Sequence, residues 1–191
     1  VTVRITGGDS WMFQVPGTHL VEHQARLADI PWLEVETKGV QEHEINDLEE
    51  ALAQLKIDGV VSGALRSDYQ KSRIERMAQR LKIKSWTPLW HQQSEAHMRG
   101  LIENKFEVFI TGVSCEGLGK EWIGRTLDAE SLSELEELAK RYRFNVDGEG
   151  GEYETLVTGG PHLPGRLELF GEVHWDGVRG TYEITDVQAI A

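Results

Sequence analysis

The stretch Gly148-Glu149-Gly150-Gly151-Glu152-Tyr153-Glu154-Thr155-Leu156-Val157 threads three carboxylates through glycines. Each glycine loses much conformational freedom on folding, so such a run marks backbone that must turn tightly or approach another group closely. Without Cβ atoms in the way, the backbone N–H groups of Gly150 and Gly151 can touch a ligand. Glu149, Glu152 and Glu154 can attract a cation or take a proton. A solvated acidic turn would have the same composition. Tyr69 and Arg73 form a second set, one helical turn apart, where a ring and a guanidinium can face one nucleotide or phosphate. The plainer alternative is a Tyr at the core edge and an Arg paired with an acid. His19 and His23 share that spacing, but no third ligand stands at a telling distance. They read as surface or capping residues, and no metal site is assigned.

The elements that carry these residues alternate. Val1 to Ile5 reads as a strand, about His19 to Ala28 as a helix and Trp32 to Val35 as a strand. A helix from Glu42, with Ile45, Leu48, Leu52 and Leu55 on one face, stops near Asp58-Gly59. Val60-Val61 reads as a short buried strand and Asp68 to Leu81 as a helix with Ile74, Met77, Ala78 and Leu81 inward. Next come a helix over Ser94 to Asn104, a strand at Val108 to Ile110, and a helix carrying Leu132, Leu135, Leu138 and Tyr142. Ser131 and Glu134 form its expected capping box, and Glu130 to Glu137 its solvated face. Short strands Arg166 to Phe170, Glu172 to Trp175 and Thr181 to Val187, joined at Gly171 and at Asp176-Gly177, close the chain. Alternation predicts a mostly parallel α/β sheet, residues 1–90, followed by a smaller α+β domain, residues 91–191. Ligands bind beyond the carboxyl ends of parallel strands, which selects Ser62 to Tyr69 and Val113 to Gly119 as the functional edge. Trp90, Trp122 and Trp175 read as core or interface anchors.

Composition narrows the partners. With 20 Lys+Arg against 32 Asp+Glu, the formal charge of −12 repels polyanions and disfavours nucleic acid. The single cysteine, Cys115, rules out an internal disulfide and fits a reducing compartment. Apolar runs fall well short of the roughly 20 residues that span a bilayer, and no leader opens the chain. A soluble, cytoplasmic protein without a membrane partner is the expectation.

Trp11-Met12-Phe13-Gln14-Val15-Pro16 with His19-Leu20, Gly63-Ala64-Leu65 with Tyr69-Gln70-Lys71-Ser72-Arg73-Ile74-Glu75, Thr87-Pro88-Leu89-Trp90, Gly117-Leu118 with Trp122-Ile123-Gly124-Arg125, and Glu149 to Val157 follow one another over nearly the whole chain. Together they resemble the diphthine ammonia ligase (diphthamide synthetase) family of PP-loop, or N-type, ATP pyrophosphatases. The resemblance implies a Rossmann-like fold of the adenine nucleotide alpha hydrolase type, with a smaller domain contributing the acidic loop. It implies an ATP-dependent ligase that joins ammonia to diphthine on translation elongation factor 2 through an acyl-adenylate, with AMP and pyrophosphate as products and Mg²⁺ assisting. It assigns Gly63, Ala64, Tyr69 and Arg73 to the nucleotide, and Glu149, Gly150, Gly151, Tyr153 and Thr155 to the substrate. Glu152 and Glu154 are left as catalytic candidates, for ammonium or for the substrate cation.

The family's Ser-Gly-Gly-Lys-Asp-Ser phosphate loop has no counterpart here. Thr6-Gly7-Gly8-Asp9-Ser10 resembles a shortened copy without the lysine, placed directly before the aromatic stretch. Val1 to Ile5 therefore reads as the fold's second strand, with the first strand, its loop and the first helix absent. A chain so composed is expected to lack the phosphate site and to expose apolar surface or a strand edge, favouring a homo-oligomer. Gly159 stands where the family commonly has Asp. A related enzyme acting on another carboxylic acid or a tRNA base, and a non-catalytic nucleotide-binding module, remain the alternatives.

Overall fold

The computed structural model describes residues 1–7, 10, 12–14 and 17–190. Gly8 and Asp9 of the shortened loop, and Trp11, Val15 and Pro16 of the aromatic stretch, lie outside the described residues. In chain order the elements are β1 (Thr2–Ile5), α1 (Val21–Leu27), β2 (Glu34–Thr37), α2 (His43–Leu52), β3 (Gly59–Val61), α3 (Asp68–Leu81), β4 (Lys84–Trp86), α4 (Ser94–Glu103), β5 (Glu107–Val113), β6 (Thr126–Leu127), α5 (Ala129–Tyr142), β7 (Tyr153–Gly159), β8 (Arg166–Trp175) and β9 (Gly180–Ile190). They form a mixed α/β protein of two compact units, Val1–His19 with Trp32–Gln92, and Leu20–Pro31 with Gln93–Ala191.

In the first unit the parallel strands form two separate pairs, β1 with β2 and β3 with β4. Val3, Val35, Ile45, Leu48, Leu52, Ile74 and Met77 make one core, in which the inward stripes of α2 and α3 cover the strands. Helix α3 starts where Ser67 accepts the N–H of Gln70 at 3.3 Å. Helix α2 ends at Leu52, earlier than its apolar spacing predicts, and Leu55 is exposed. Strand β3 is not the buried strand its valines predict. Val61 and its register partner Trp86 are 64% and 65% exposed, so the β3–β4 pair shows an apolar face.

The second unit has the α+β build expected of the later residues. Its five-stranded sheet is antiparallel, in the order β6-β5-β7-β8-β9, with β5 also pairing β9 at Gly112↔Thr181 and Val113↔Gly180. Ile110, Leu135 and Trp122 are almost fully buried among Val108, Leu132 and Tyr153, each worth about 1.5–3 kcal/mol of burial for a side chain of this size. Helix α5 is capped by Asp128, not by Ser131 with Glu134. Asp128 accepts the Ser131 N–H at 2.8 Å while the Ser131 hydroxyl takes the Asp128 N–H at 2.8 Å, and Glu134 instead pairs with Arg125. Its acidic run is not wholly solvated either, because Glu136 is buried and held by Arg99 through two bonds of 2.8 and 2.7 Å. Strand β8 runs unbroken through Gly171, which marks a bulge and not a turn. The turn at Asp176-Gly177 is present, with Asp176 accepting the N–H groups of Val178 and Arg179.

Candidate functional site

Helix α5 ends at Tyr142, and the ten residues before β7 fold back on themselves as a cross-linked loop. Gly148 and Gly151 take φ values of +70° and +79°, a region that side-chain-bearing residues rarely enter. Their N–H groups close two turns, onto Asn145 O at 3.0 Å and Gly148 O at 2.9 Å. Glu152 then ties the loop together. Its Oε1 accepts the backbone N–H of Asn145 at 2.8 Å and the Asn145 amide at 2.9 Å, and its Oε2 accepts the Gly150 N–H at 2.8 Å. Ser114 clamps the far side, donating its N–H to Glu152 O at 2.9 Å and its hydroxyl to Gly151 O at 2.5 Å. Beneath lies Tyr153, buried, whose hydroxyl donates to Val146 O at 2.5 Å. Burial, with Asp147 and Glu152 nearby, pushes that phenol far above its usual range and keeps it a donor.

Glu154, two residues on, is treated differently. It is half-buried at the start of β7, its carboxyl is raised above the ordinary range by burial, and among the described residues no hydrogen bond or ion pair holds it. Its register partner is Gly112 on β5, which in turn faces Thr181 on β9. A Cβ at Gly112 would stand 3.9 Å from Glu154 Cβ, 3.5 Å from Thr181 Cγ2 and 3.3 Å from Gly180 O. The position is close-packed, so that a side chain there would press on the Gly180 carbonyl oxygen. Thr155 pairs Ile110 in the same sheet, and Glu149 lies on the loop with its N–H toward Asp147. Cys115 follows Ser114, but burial raises its thiol, so it stays protonated and is a poor nucleophile.

In the first unit, Arg73 lies over the Tyr69 ring at 3.4 Å and donates to Tyr69 O at 3.3 Å. Its Nε donates to Glu42 at 3.0 Å, and this pairing raises the guanidinium pKa further. The plainer reading of this pair therefore describes its geometry: Arg73 stacks on Tyr69 and is paired with an acid. Gln70 of the same helix donates to Met12 O at 3.2 Å. Glu44, fully buried, accepts the Ser10 hydroxyl at 2.5 Å, and that hydroxyl accepts the N–H groups of Met12 and Phe13. These bonds tie Ser10 to α2 and Met12 to α3. Gly63 and Ala64 lie in the loop at the carboxyl end of β3, with open space where a Gly63 side chain would be. Beside them Ser62 and Thr87 share a hydroxyl contact of 3.1 Å.

The structure brings Tyr69 and Arg73 together in the first unit, and Gly150, Gly151 and Glu152 together in the second. Strand pairing also explains why Val113 to Gly119 belongs with the acidic loop. The rule for parallel strands does not apply to antiparallel β5; Ser114 is there because β5 pairs β7. Sequence reasoning missed Asn145, Glu42 and Gly112. Only Gly112 left a signal, as a glycine inside an apolar strand.

The description of the diphthamide synthase N-terminal domain matches residues 1–85, and that of the diphthamide synthase C-terminal domain matches residues 93–190. The chain belongs to the diphthamide synthase family. Rat and human proteins named diphthine–ammonia ligase are 34% and 32% identical to it over 165 residues, each alignment covering 78% of this chain and 61% of the relative. A Schizosaccharomyces pombe protein of that name is 28% identical over 177 residues, covering 84% of this chain and 29% of its own length. The chain therefore spans about three-fifths of the length of the mammalian relatives. In this chain, Gly63 to Arg73 fall in the N-terminal match and Glu149 to Thr155 in the C-terminal one. Residues 20–31 lie within the N-terminal match yet pack with the second unit, where Gln24 donates to Val157 O at 2.6 Å.

Among the described residues no helix is long and apolar enough to cross a membrane, and no three His, Cys, Asp or Glu side chains converge as a metal set. These side chains do not by themselves fit a resident Mg²⁺, which is more often held by substrate phosphates and water with one or two carboxylates.

Proposed function

We propose that the chain is part of an ATP-dependent ligase that amidates diphthine on translation elongation factor 2. Family membership and the shared name of its relatives support this reading. The observation that carries it is the contrast inside the acidic loop: Glu152 is spent on N–H donors of its own loop, while Glu154 is half-buried and, among the described residues, unpaired. Burying a carboxylate without a partner lowers stability, and such groups concentrate where chemistry needs them.

In the proposed reaction a carboxylate oxygen of diphthine attacks the α-phosphorus of ATP and pyrophosphate leaves. Ammonia then forms a bond to the acyl carbon as the bond to AMP breaks. A Rossmann-like fold of the PP-loop type would place the nucleotide beyond the carboxyl ends of the parallel strands, at Gly63, Ala64, Tyr69 and Arg73. The open position at Gly63 allows close approach of a ligand. To serve a phosphate, Arg73 would exchange Glu42 for it, an inexpensive step for a surface ion pair. Glu149, Gly150, Gly151, Tyr153 and Thr155 form the substrate side, where the rigid loop orients groups for reaction. Mg²⁺, carried on the phosphates, would offset their charge.

The protein as its gene encodes it is incubated with ATP, ammonium and elongation factor 2 bearing diphthine. AMP and pyrophosphate should accumulate in equal amounts with all three and stay at background with factor lacking diphthine. AMP release that ignores the modified factor would favour another carboxylic acid acceptor; none with any acceptor would favour a nucleotide-binding module.

A further inference from the structure

Glu44, in the first turn of α2, is a carboxylate with no exposed surface. Ile45 and Leu48 beside it belong to the core, and an apolar residue at position 44 would be buried without desolvating a charge. One oxygen accepts the Ser10 hydroxyl at 2.5 Å, and among the described residues the other has no partner. Such a group lowers stability, so its presence points to a task beyond packing. The bond to Ser10 shows what that task is. A hydroxyl carries one proton and two lone pairs. Glu44 takes the proton, which turns the lone pairs toward the backbone, where they accept the N–H groups of Met12 at 3.0 Å and Phe13 at 2.9 Å. Gln70, in the first turn of α3 and next to Tyr69, donates to Met12 O at 3.2 Å, and Phe13 and Tyr69 pack against the same core. The backbone of Met12 and Phe13 is thereby fixed along the start of α3, where Arg73 stacks on Tyr69. Arg73, raised above its ordinary value first by its bond to Glu42, also feels the charge of Glu44.

We infer that Glu44 is a positioning residue for the nucleotide: through Ser10 it holds the backbone of Met12 and Phe13 against the start of α3, and so fixes one wall of the site that Tyr69 and Arg73 serve. This role rests on the reading above, which gives Tyr69 and Arg73 to ATP. Glu44 does not touch the ligand, and its effect passes through a single hydroxyl. A bond to a carboxylate is stronger than one to a neutral acceptor, which suits an anchor that must keep that hydroxyl from rotating. Without it, the two N–H groups lose a fixed acceptor, and the nucleotide has to order the segment as it binds. Ordering on binding is subtracted from affinity, so the loss falls on ATP and not on the step that joins ammonia.

The protein as its gene encodes it is compared with Ser10→Ala, Ser10→Thr and Glu44→Gln, by calorimetric titration with ATP and by initial rates of amide formation at varied ATP and varied ammonia. Loss of a hydrogen bond to a charged group is worth on the order of tenfold in an equilibrium, so Ser10→Ala should raise Kd and KM for ATP roughly tenfold. Ser10→Thr, which puts the hydroxyl back, should restore the wild-type constants. Glu44→Gln, which leaves a weaker neutral acceptor, should raise both constants in the same direction and by less. In each case kcat should recover at saturating ATP and KM for ammonia should not move. A residue serving stability alone would lower the active fraction, and with it kcat, at unchanged KM for ATP; that result overturns the role. Should Glu44→Gln not fold, as judged by circular dichroism, Ser10→Ala and Ser10→Thr decide by the same criterion. An active wild type whose variants keep its Kd and KM for ATP overturns the positioning role and leaves the amidation reading intact. A wild type that binds ATP but forms no amide overturns the amidation reading alone, with the titrations still deciding the role, and one that binds no ATP overturns both.

Discussion

Replacing Glu152 by Gln isolates the loop-building role of that side chain, because the two are the same size and differ at one oxygen. In the wild type Oε1 serves both the backbone N–H and the side-chain amide of Asn145, and Oε2 serves the Gly150 N–H. Gln has one acceptor, so it keeps the Asn145 pair and turns an NH₂ group toward the Gly150 N–H, donor against donor. Hydrogen bonds to a charged group contribute about 1.5–3 kcal/mol each, and an exposed loop belongs at the low end, near 1.5 kcal/mol. Since about 1.4 kcal/mol is a factor of ten in an equilibrium, the Gly150 amide should exchange with deuterium roughly tenfold faster. Amides of the β5 and β7 ladder should keep their wild-type rates, because local openings need not involve the core. The assay is native-state hydrogen exchange read by NMR on the 191-residue chain. Unchanged exchange at Gly150 would show that Glu152 does not hold the loop. Loss of protection throughout the second unit would show that it holds far more than the loop.

Three other outcomes follow from the same geometry. Glu154→Gln should melt higher than wild type at neutral pH: its carboxyl is raised by burial, so the folded state binds more protons than the unfolded one above the ordinary carboxylate range, and stability falls as pH rises through that window. The gain should vanish below that range, and a melt series showing no gain at pH 7 would contradict the unpaired carboxylate. Arg99→Ala should have the opposite pH dependence. Arg99 holds Glu136 below its ordinary value, so the pair's contribution is present at neutral pH and is lost as pH falls through the lowered value; melting temperatures of wild type and variant should converge in acid. Tyr153→Phe removes a buried hydroxyl that donates to Val146 O and should cost about 1–2 kcal/mol in urea unfolding; no change would mean that the carbonyl finds another donor.

Much of this was legible in the residues. Periodic apolar positions located α3 and α5 because Ile74, Met77, Leu132 and Leu135 each recur on one helical face, a signal independent of tertiary partners. The acidic loop stood out because glycine and glutamate together are improbable in a bare connection. Strand pairing was not legible. Val60 and Val61 look like core residues, yet Val61 is exposed, because burial depends on which strands lie alongside. Gly171 read as a turn because a bulge and a turn use the same residue for different reasons. Ser131 with Glu134 matched a capping pattern, but Asp128 lay nearer the true start and took the Ser131 N–H first. The distinction between Glu152 and Glu154 was invisible for the same cause: it depends on Asn145, seven residues before Glu152, and on the burial that strand pairing gives Glu154.

The most direct test uses ¹⁵N-ammonium. With ATP and elongation factor 2 bearing diphthine, mass spectrometry of the modified residue should show its carboxylate converted to an amide carrying the label, in step with AMP formed. AMP accumulation with no label at that residue, or label incorporated without ATP, would contradict the account.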